Sequence, residues 1–181
     1  MYRLFTAVDL PPAVAESLAA MGFGLPGARW LPAEQLHLTL RFIGEVDGGI
    51  FKDIRAALGD VRSAPFTIEL RGFGCFPPRG PARVLWAGVE PAAPVTELCK
   101  RVEKALVRPG LVAPEKRKFA PHVTVARLDK VPSNRLGQFL AGNNLYASET
   151  FTVAQFHLYS SELTPKGPYH TLEASYQLDR G

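Results

Sequence analysis

One tetrapeptide pattern occurs twice in this 181-residue chain, as His37-Leu38-Thr39-Leu40 and His122-Val123-Thr124-Val125. The copies stand 122 − 37 = 85 residues apart, close to half the length. Side chains on a strand alternate between faces, so each copy puts its His and Thr on one face and its aliphatic residues on the other. Any fold for this chain must therefore hold two strands that are apolar toward a core and carry an imidazole and a hydroxyl opposite.

The surrounding pattern recurs as well. Residues 2–9 read as a strand, 13–21 as a helix opened by Pro11 and Pro12, 35–43 as a strand, 49–59 as a helix and 65–74 as a strand. A Gly/Pro-rich loop follows the first helix. The segment 76–81, with Pro77, Pro78 and Gly80, cannot sustain regular structure and is the best place for a lobe boundary. After it the same order returns: strand 83–89, helix 94–107, strand 119–127, helix 133–141 and strand 150–160. A last strand near 170–178 closes the chain. The expectation is an internal duplication, one domain over 1–181 with lobes near 1–76 and 82–181 that can exchange strands.

Composition narrows the function. With 46% hydrophobic and 21% charged residues the chain is ordinary globular material, long enough to bury a sizeable core. The opening MYRLFTAVDL is too short an apolar run for a signal peptide, and no later stretch approaches the roughly 18 to 20 residues that cross a bilayer. A soluble, cytoplasmic protein without a membrane partner is expected, with a monomer as the default. Cys75 and Cys99 have neither redox-pair nor zinc-site spacing. A net charge of +4 and a pI near 9.2 suit an anionic partner such as a nucleotide or an RNA end. No Gly-rich phosphate loop is present, so neither ATP, GTP nor any other cofactor is expected.

Histidine occurs at four positions, 37, 122, 157 and 170, and half of them lie in the repeated motif. If the halves pack about a pseudo-two-fold axis, two imidazoles and two hydroxyls meet across one cleft. That set suits in-line displacement at phosphorus: a neutral imidazole takes a proton from water, an imidazolium gives one to the leaving oxygen, and the hydroxyls of Thr39 and Thr124 bind non-bridging oxygens. One His-x-Thr strand alone is ordinary structure; two at matching places point to His37 and His122 as catalysts. Zinc would need three or four ligands, and no Cys, Asp or Glu cluster supplies them, so metal-free chemistry is expected.

On RLFTAVDLP, HLTLRFIGEV, RVLWAGVEP, PHVTVARL and HLYSSELTPKGPYHTLE, together nearly the whole chain, the sequence resembles the two-histidine phosphoesterase superfamily. Within it the likeness is to the LigT-like RNA 2′,3′-cyclic phosphodiesterases, historically called 2′-5′ RNA ligases. The resemblance implies a bilobal α+β fold with two antiparallel sheets lining a central cleft and helices on the outer faces. It implies hydrolysis of 2′,3′-cyclic phosphate ends of RNA or nucleotides to 2′-phosphates, without metal, with reversible ATP-independent 2′-5′ joining as a secondary activity. His122 would activate water and His37 protonate O3′, or the reverse. Phosphodiester hydrolysis of 2′-5′ oligonucleotides or small cyclic nucleotides, or RNA binding without catalysis, are the alternatives.

The resemblance also marks Phe42 and Arg127, each five residues after a motif His, as substrate-binding: Phe42 for base stacking and Arg127 for gripping phosphate oxygens or stacking on a base. Strict alternation puts both on the face opposite the histidines, and puts Arg41 on the same face. Lys118 and Phe119 are expected near the cleft mouth, Trp86 in the core, and Trp30 is a weaker stacking candidate. The faces of His157, Tyr159, Tyr169 and His170 are not assignable from sequence.

Overall fold

Residues 1–22 and 24–179 are described by a computed structural model. In chain order they form β1 (Tyr2–Asp9), α1 (Pro12–Ala19), β2 (Ala28–Trp30), a 3₁₀ turn (Ala33–Gln35), β3 (His37–Val46), α2 (Gly48–Leu58), β4 (Phe66–Phe76) and β5 (Val84–Glu90). Then follow α3 (Ala92–Val107), β6 (His122–Leu128), α4 (Ser133–Gly142), β7 (Phe151–Val153), β8 (Gln155–Thr164) and β9 (Gly167–Gln177).

The helices form where local chemistry allows. Pro12 opens α1, where a missing N–H costs nothing. The Asp47 carboxylate accepts the Ile50 N–H at 2.9 Å and starts α2. In α3, Val95, Leu98, Val102 and Leu106 repeat every three or four residues and are fully buried, each contributing about 1.5–3 kcal/mol of apolar burial.

The strands run in the order β7-β4-β5-β6-β3-β1-β8-β9, with β2 added beside β6. All the paired strands are antiparallel. Read outward from the centre, β3-β1-β8-β9 mirrors β6-β5-β4-β7, and β1-α1-β3 is matched by β5-α3-β6. The two half-sheets meet through one residue pair, Leu38↔Val123, whose side chains are wholly buried. One hydrophobic cluster runs beneath both halves, including Leu38 and Leu158 from one and Val123, Leu85 and Leu98 from the other.

Chain halves and sheet halves differ. β4 is hydrogen-bonded to β5, while β8 returns to β1. The single strand expected at 150–160 is in fact two: β7 pairs β4 and β8 pairs β1, with Ala154 between them. No Gly or Pro marks that crossing, so periodicity ran straight through it. β2 was also missed, because three residues inside a Gly/Pro-rich loop carry no readable period.

Candidate active site

Since Leu38 and Val123 both point into the core, their neighbours His37, Thr39, His122 and Thr124 all lie on the other face of the sheet, half-buried. The antiparallel register at Leu38↔Val123 sets residue 37 against 124 and 39 against 122. Each imidazole thus stands near the hydroxyl of the opposite copy. Among the described residues neither threonine hydroxyl is used in a hydrogen bond, which leaves both free for a ligand.

Both motif strands then carry the same irregularity. Between β1 and β3 the register passes from Ala7↔Thr39 to Thr6↔Arg41, leaving Leu40 as an extra residue. Between β5 and β6 it passes from Trp86↔Thr124 to Leu85↔Ala126, leaving Val125 extra. Each is a β-bulge three residues after the motif His, and a bulge reverses the alternation beyond it. This corrects the parity read from sequence. Phe42, 62% exposed, shares the histidine face and stands 6.0 Å from Phe5 in ring centroids. Arg127 is exposed on that face too, between buried Ala126 and Leu128.

Arg41 is turned the other way, 8% exposed. Its Nε donates to the Glu103 carboxylate at 2.5 Å, and its Nη2 to the Ala113 carbonyl at 2.6 Å. It fastens β3 to α3 and to the segment leading into β6, so it is a structural residue.

Each catalytic candidate is oriented by a backbone carbonyl two residues earlier. His122 Nδ1 lies 2.7 Å from the Ala120 oxygen. A carbonyl only accepts, so Nδ1 carries the hydrogen, and in the neutral ring Nε2 keeps the lone pair. The Gln35 backbone makes the matching bond to His37. The walls differ. His37 is packed by Phe5, Tyr159 and His170 at centroid distances of 5.8, 5.3 and 5.1 Å. His122 sits edge-on to Phe76 at 5.0 Å and 6.3 Å from Trp86. Trp86 is therefore on the site face and not the core, as its position between buried Leu85 and Ala87 requires. Gly74 makes room for it: a Cβ there would fall 2.2 Å from the indole ring.

Burial, reinforced by the charge of neighbouring His170, lowers His37 from 6.5 to about 4. Asp9, opposite His37 in the β1–β3 register, opposes the shift. Its own oxygens are committed: one accepts the Tyr159 hydroxyl at 2.6 Å, and the other lies 3.3 Å from Nε2 of buried His157, whose Nδ1 meets Ser175 Oγ at 2.8 Å. Among the described residues no three His, Cys, Asp or Glu side chains converge as a metal site. A cavity of about 350 Å³ beside His37 is lined by Asp9, Glu16, Glu34 and Tyr159. Its carboxylates disfavour a phosphate there. Of the other residues singled out from sequence, Phe119 and Trp30 pack against the core and Lys118 is exposed.

Sequence reading missed Tyr159, His170 and Phe76 as walls of the site. β8 is buried on both faces from Phe156 to Tyr159, so no alternation signalled which side each residue takes.

The arrangement has close counterparts among known proteins. A sequence model of the 2′-5′ RNA ligase superfamily matches residues 10–165. An RNA 2′,3′-cyclic phosphodiesterase of Archaeoglobus fulgidus is 34% identical over 174 residues, covering 93% of this chain and 96% of the relative. One of Thermus thermophilus is 38% identical over 192 residues, covering 97% and 90%. The crystal structure of TT0787 of Thermus thermophilus superposes with a TM-score of 0.81 at 31% identity over 98% of each chain. That of E. coli LigT complexed with 3′-AMP gives 0.78 at 26% identity, again over 98% of each. Among the described residues no helix is long and apolar enough to cross a membrane. Sequence model, relatives and fold agree, and this chain belongs to the 2′-5′ RNA ligase superfamily, with the LigT-like fold.

Proposed function

We propose that this protein is an RNA 2′,3′-cyclic phosphodiesterase that opens the cyclic phosphate at an RNA end to a 2′-phosphate, with His37 and His122 as its proton-transfer pair. The observation that carries this reading is the junction of the two motif strands at Leu38↔Val123, which sets both imidazoles and both free hydroxyls on one face. Relatives bearing that activity by name, over nearly their whole length, support the substrate class.

In the reaction, water attacks phosphorus opposite the P–O3′ bond. His122 takes the water's proton through Nε2 while His37 delivers a proton to O3′ as that bond breaks. Thr39 and Thr124 donate to the non-bridging oxygens, where charge grows. Burial keeps His37 neutral in the free protein. The bound cyclic phosphate is itself an anion, and an opposite charge within about 4–6 Å raises a pKa by about 1–3 units. Substrate thus helps to charge its own proton donor. Phe42 stacks on the terminal base, and Arg127 draws the anion in. The chemistry needs no metal, and the protein acts as a monomer.

Three substrates test this: RNA ending in a 2′,3′-cyclic phosphate, a 2′-5′-linked dinucleotide and a cyclic mononucleotide. Fastest turnover of the first, unaffected by EDTA and leaving the phosphate on O2′, is the expected result. A strict demand for added divalent metal, or binding without turnover of all three, would overturn it.

A further inference from the structure

Beyond its bulge, β6 is joined by a short strand whose arginine the reaction at phosphorus does not use. β2 pairs β6 with Arg29 directly opposite Arg127, flanked by Ala28↔Leu128 and Trp30↔Ala126. Ala126 and Leu128 are buried and Trp30 packs against the core, so both arginines point to the histidine face, where both are exposed. Like charges directly opposite across strands destabilise a sheet. Among the described residues no carboxylate pairs with either guanidinium.

The β8–β9 turn closes over the same end of the site. Gln35 Nε2 donates to the Pro168 carbonyl at 3.3 Å, holding the turn there. A Cβ on Gly167 would lie 3.6 Å from Arg29 Nη2, and Lys166 beside it is exposed. The turn thus brings a further basic residue, Lys166, into the chain segment beside Arg29. β3 and β6 run in opposite directions, so Phe42 lies beyond one end of the His/Thr quartet and the arginine pair beyond the other. From Thr124 to Arg127 is three residues, roughly 10 Å along the strand. That spacing sets the arginine pair beside the phosphate held by the threonines, where it suits a neighbouring one.

We infer that Arg29, together with Arg127, binds a second, non-reacting phosphate of the substrate, which makes the protein selective for RNA ends over cyclic mononucleotides. This rests on the functional reading above. The test measures kcat/KM on three probes: a nucleoside 2′,3′-cyclic phosphate, the same compound with a 5′-phosphate, and a dinucleotide with a cyclic-phosphate end. Wild type should favour the two that carry a second phosphate. Whichever is favoured more shows whether a terminal phosphate or an internucleotide one fills the subsite.

In Arg29→Gln that preference ratio should fall at least about tenfold, the scale of one lost charge-assisted hydrogen bond. Arg29→Lys, which keeps the charge but loses the fork, should fall between. A ratio unchanged in both variants, whether overall activity drops or not, would overturn the inference, as would a wild type without preference. If wild type opens none of the probes, the functional reading itself has failed; if it opens all with no dependence on residue 29, only the subsite has.

Discussion

Burying His37 as a neutral ring should make the fold acid-sensitive by a calculable amount. Its pKa is about 4 in the folded chain against 6.5 ordinarily. Between those values the unfolded chain binds a proton that the folded one excludes, so stability is full above pH 6.5 and falls as pH drops toward 4. The 2.5-unit gap corresponds to about 3 kcal/mol in all, of which about 2 kcal/mol is lost between pH 7 and pH 5. The groups facing His37 are Asp9 from β1, His157 and Tyr159 from β8, and His170 from β9. Of these only the Asp9 charge favours the protonated ring. Urea denaturation of wild type and His37→Gln at both pH values isolates the effect, because titrations common to both proteins cancel. Wild type should lose about 2 kcal/mol more than the variant on going from pH 7 to pH 5. Parallel losses would refute a burial-lowered His37.

Other outcomes follow from the site. His37→Ala and His122→Ala should each slow cyclic-phosphate opening by about a hundredfold to ten-thousandfold, measured in single turnover. A substrate with sulfur in place of O3′, whose leaving group needs no proton, should restore most of the rate to His37→Ala and little to His122→Ala; the opposite pattern would exchange their roles. As the proton donor His37 must be protonated, and the free protein loses that form as pH rises through about 4, so kcat/KM should show a break near pH 4. Arg41→Met should lower stability by about 3 kcal/mol in urea, since it strands the Glu103 carboxylate and the Ala113 carbonyl. A midpoint unchanged from wild type would mean that Arg41 is not the clamp described.

The repeated motif was readable because period-2 alternation is a local property: a His and a Thr two residues apart share a face whatever the fold. The family resemblance then supplied the duplicated α+β architecture that such a repeat alone only suggests. What alternation could not show was its own interruption. The bulges at Leu40 and Val125 exchanged Arg41 and Phe42 between core and site, and brought Arg127 onto the histidine face. The pair Val125-Ala126, two adjacent apolar residues with Leu128 beyond, was the one trace of this in sequence. Trp86 was misread for the converse reason. Its large apolar ring suggested core, although its buried neighbours Leu85 and Ala87 already assign it to the other face. Arg29 was passed over because its partner strand is only three residues long, and its position depends on a pairing made 98 residues away, at Arg127.

A crystal structure with a nucleoside 2′-phosphate, the expected product, reads the decisive geometry directly. A single phosphate should have its oxygens within about 3.2 Å of a ring nitrogen from each of His37 and His122 and of the hydroxyls of Thr39 and Thr124. A phosphate held by one motif strand alone, with the other imidazole beyond reach, would contradict the account.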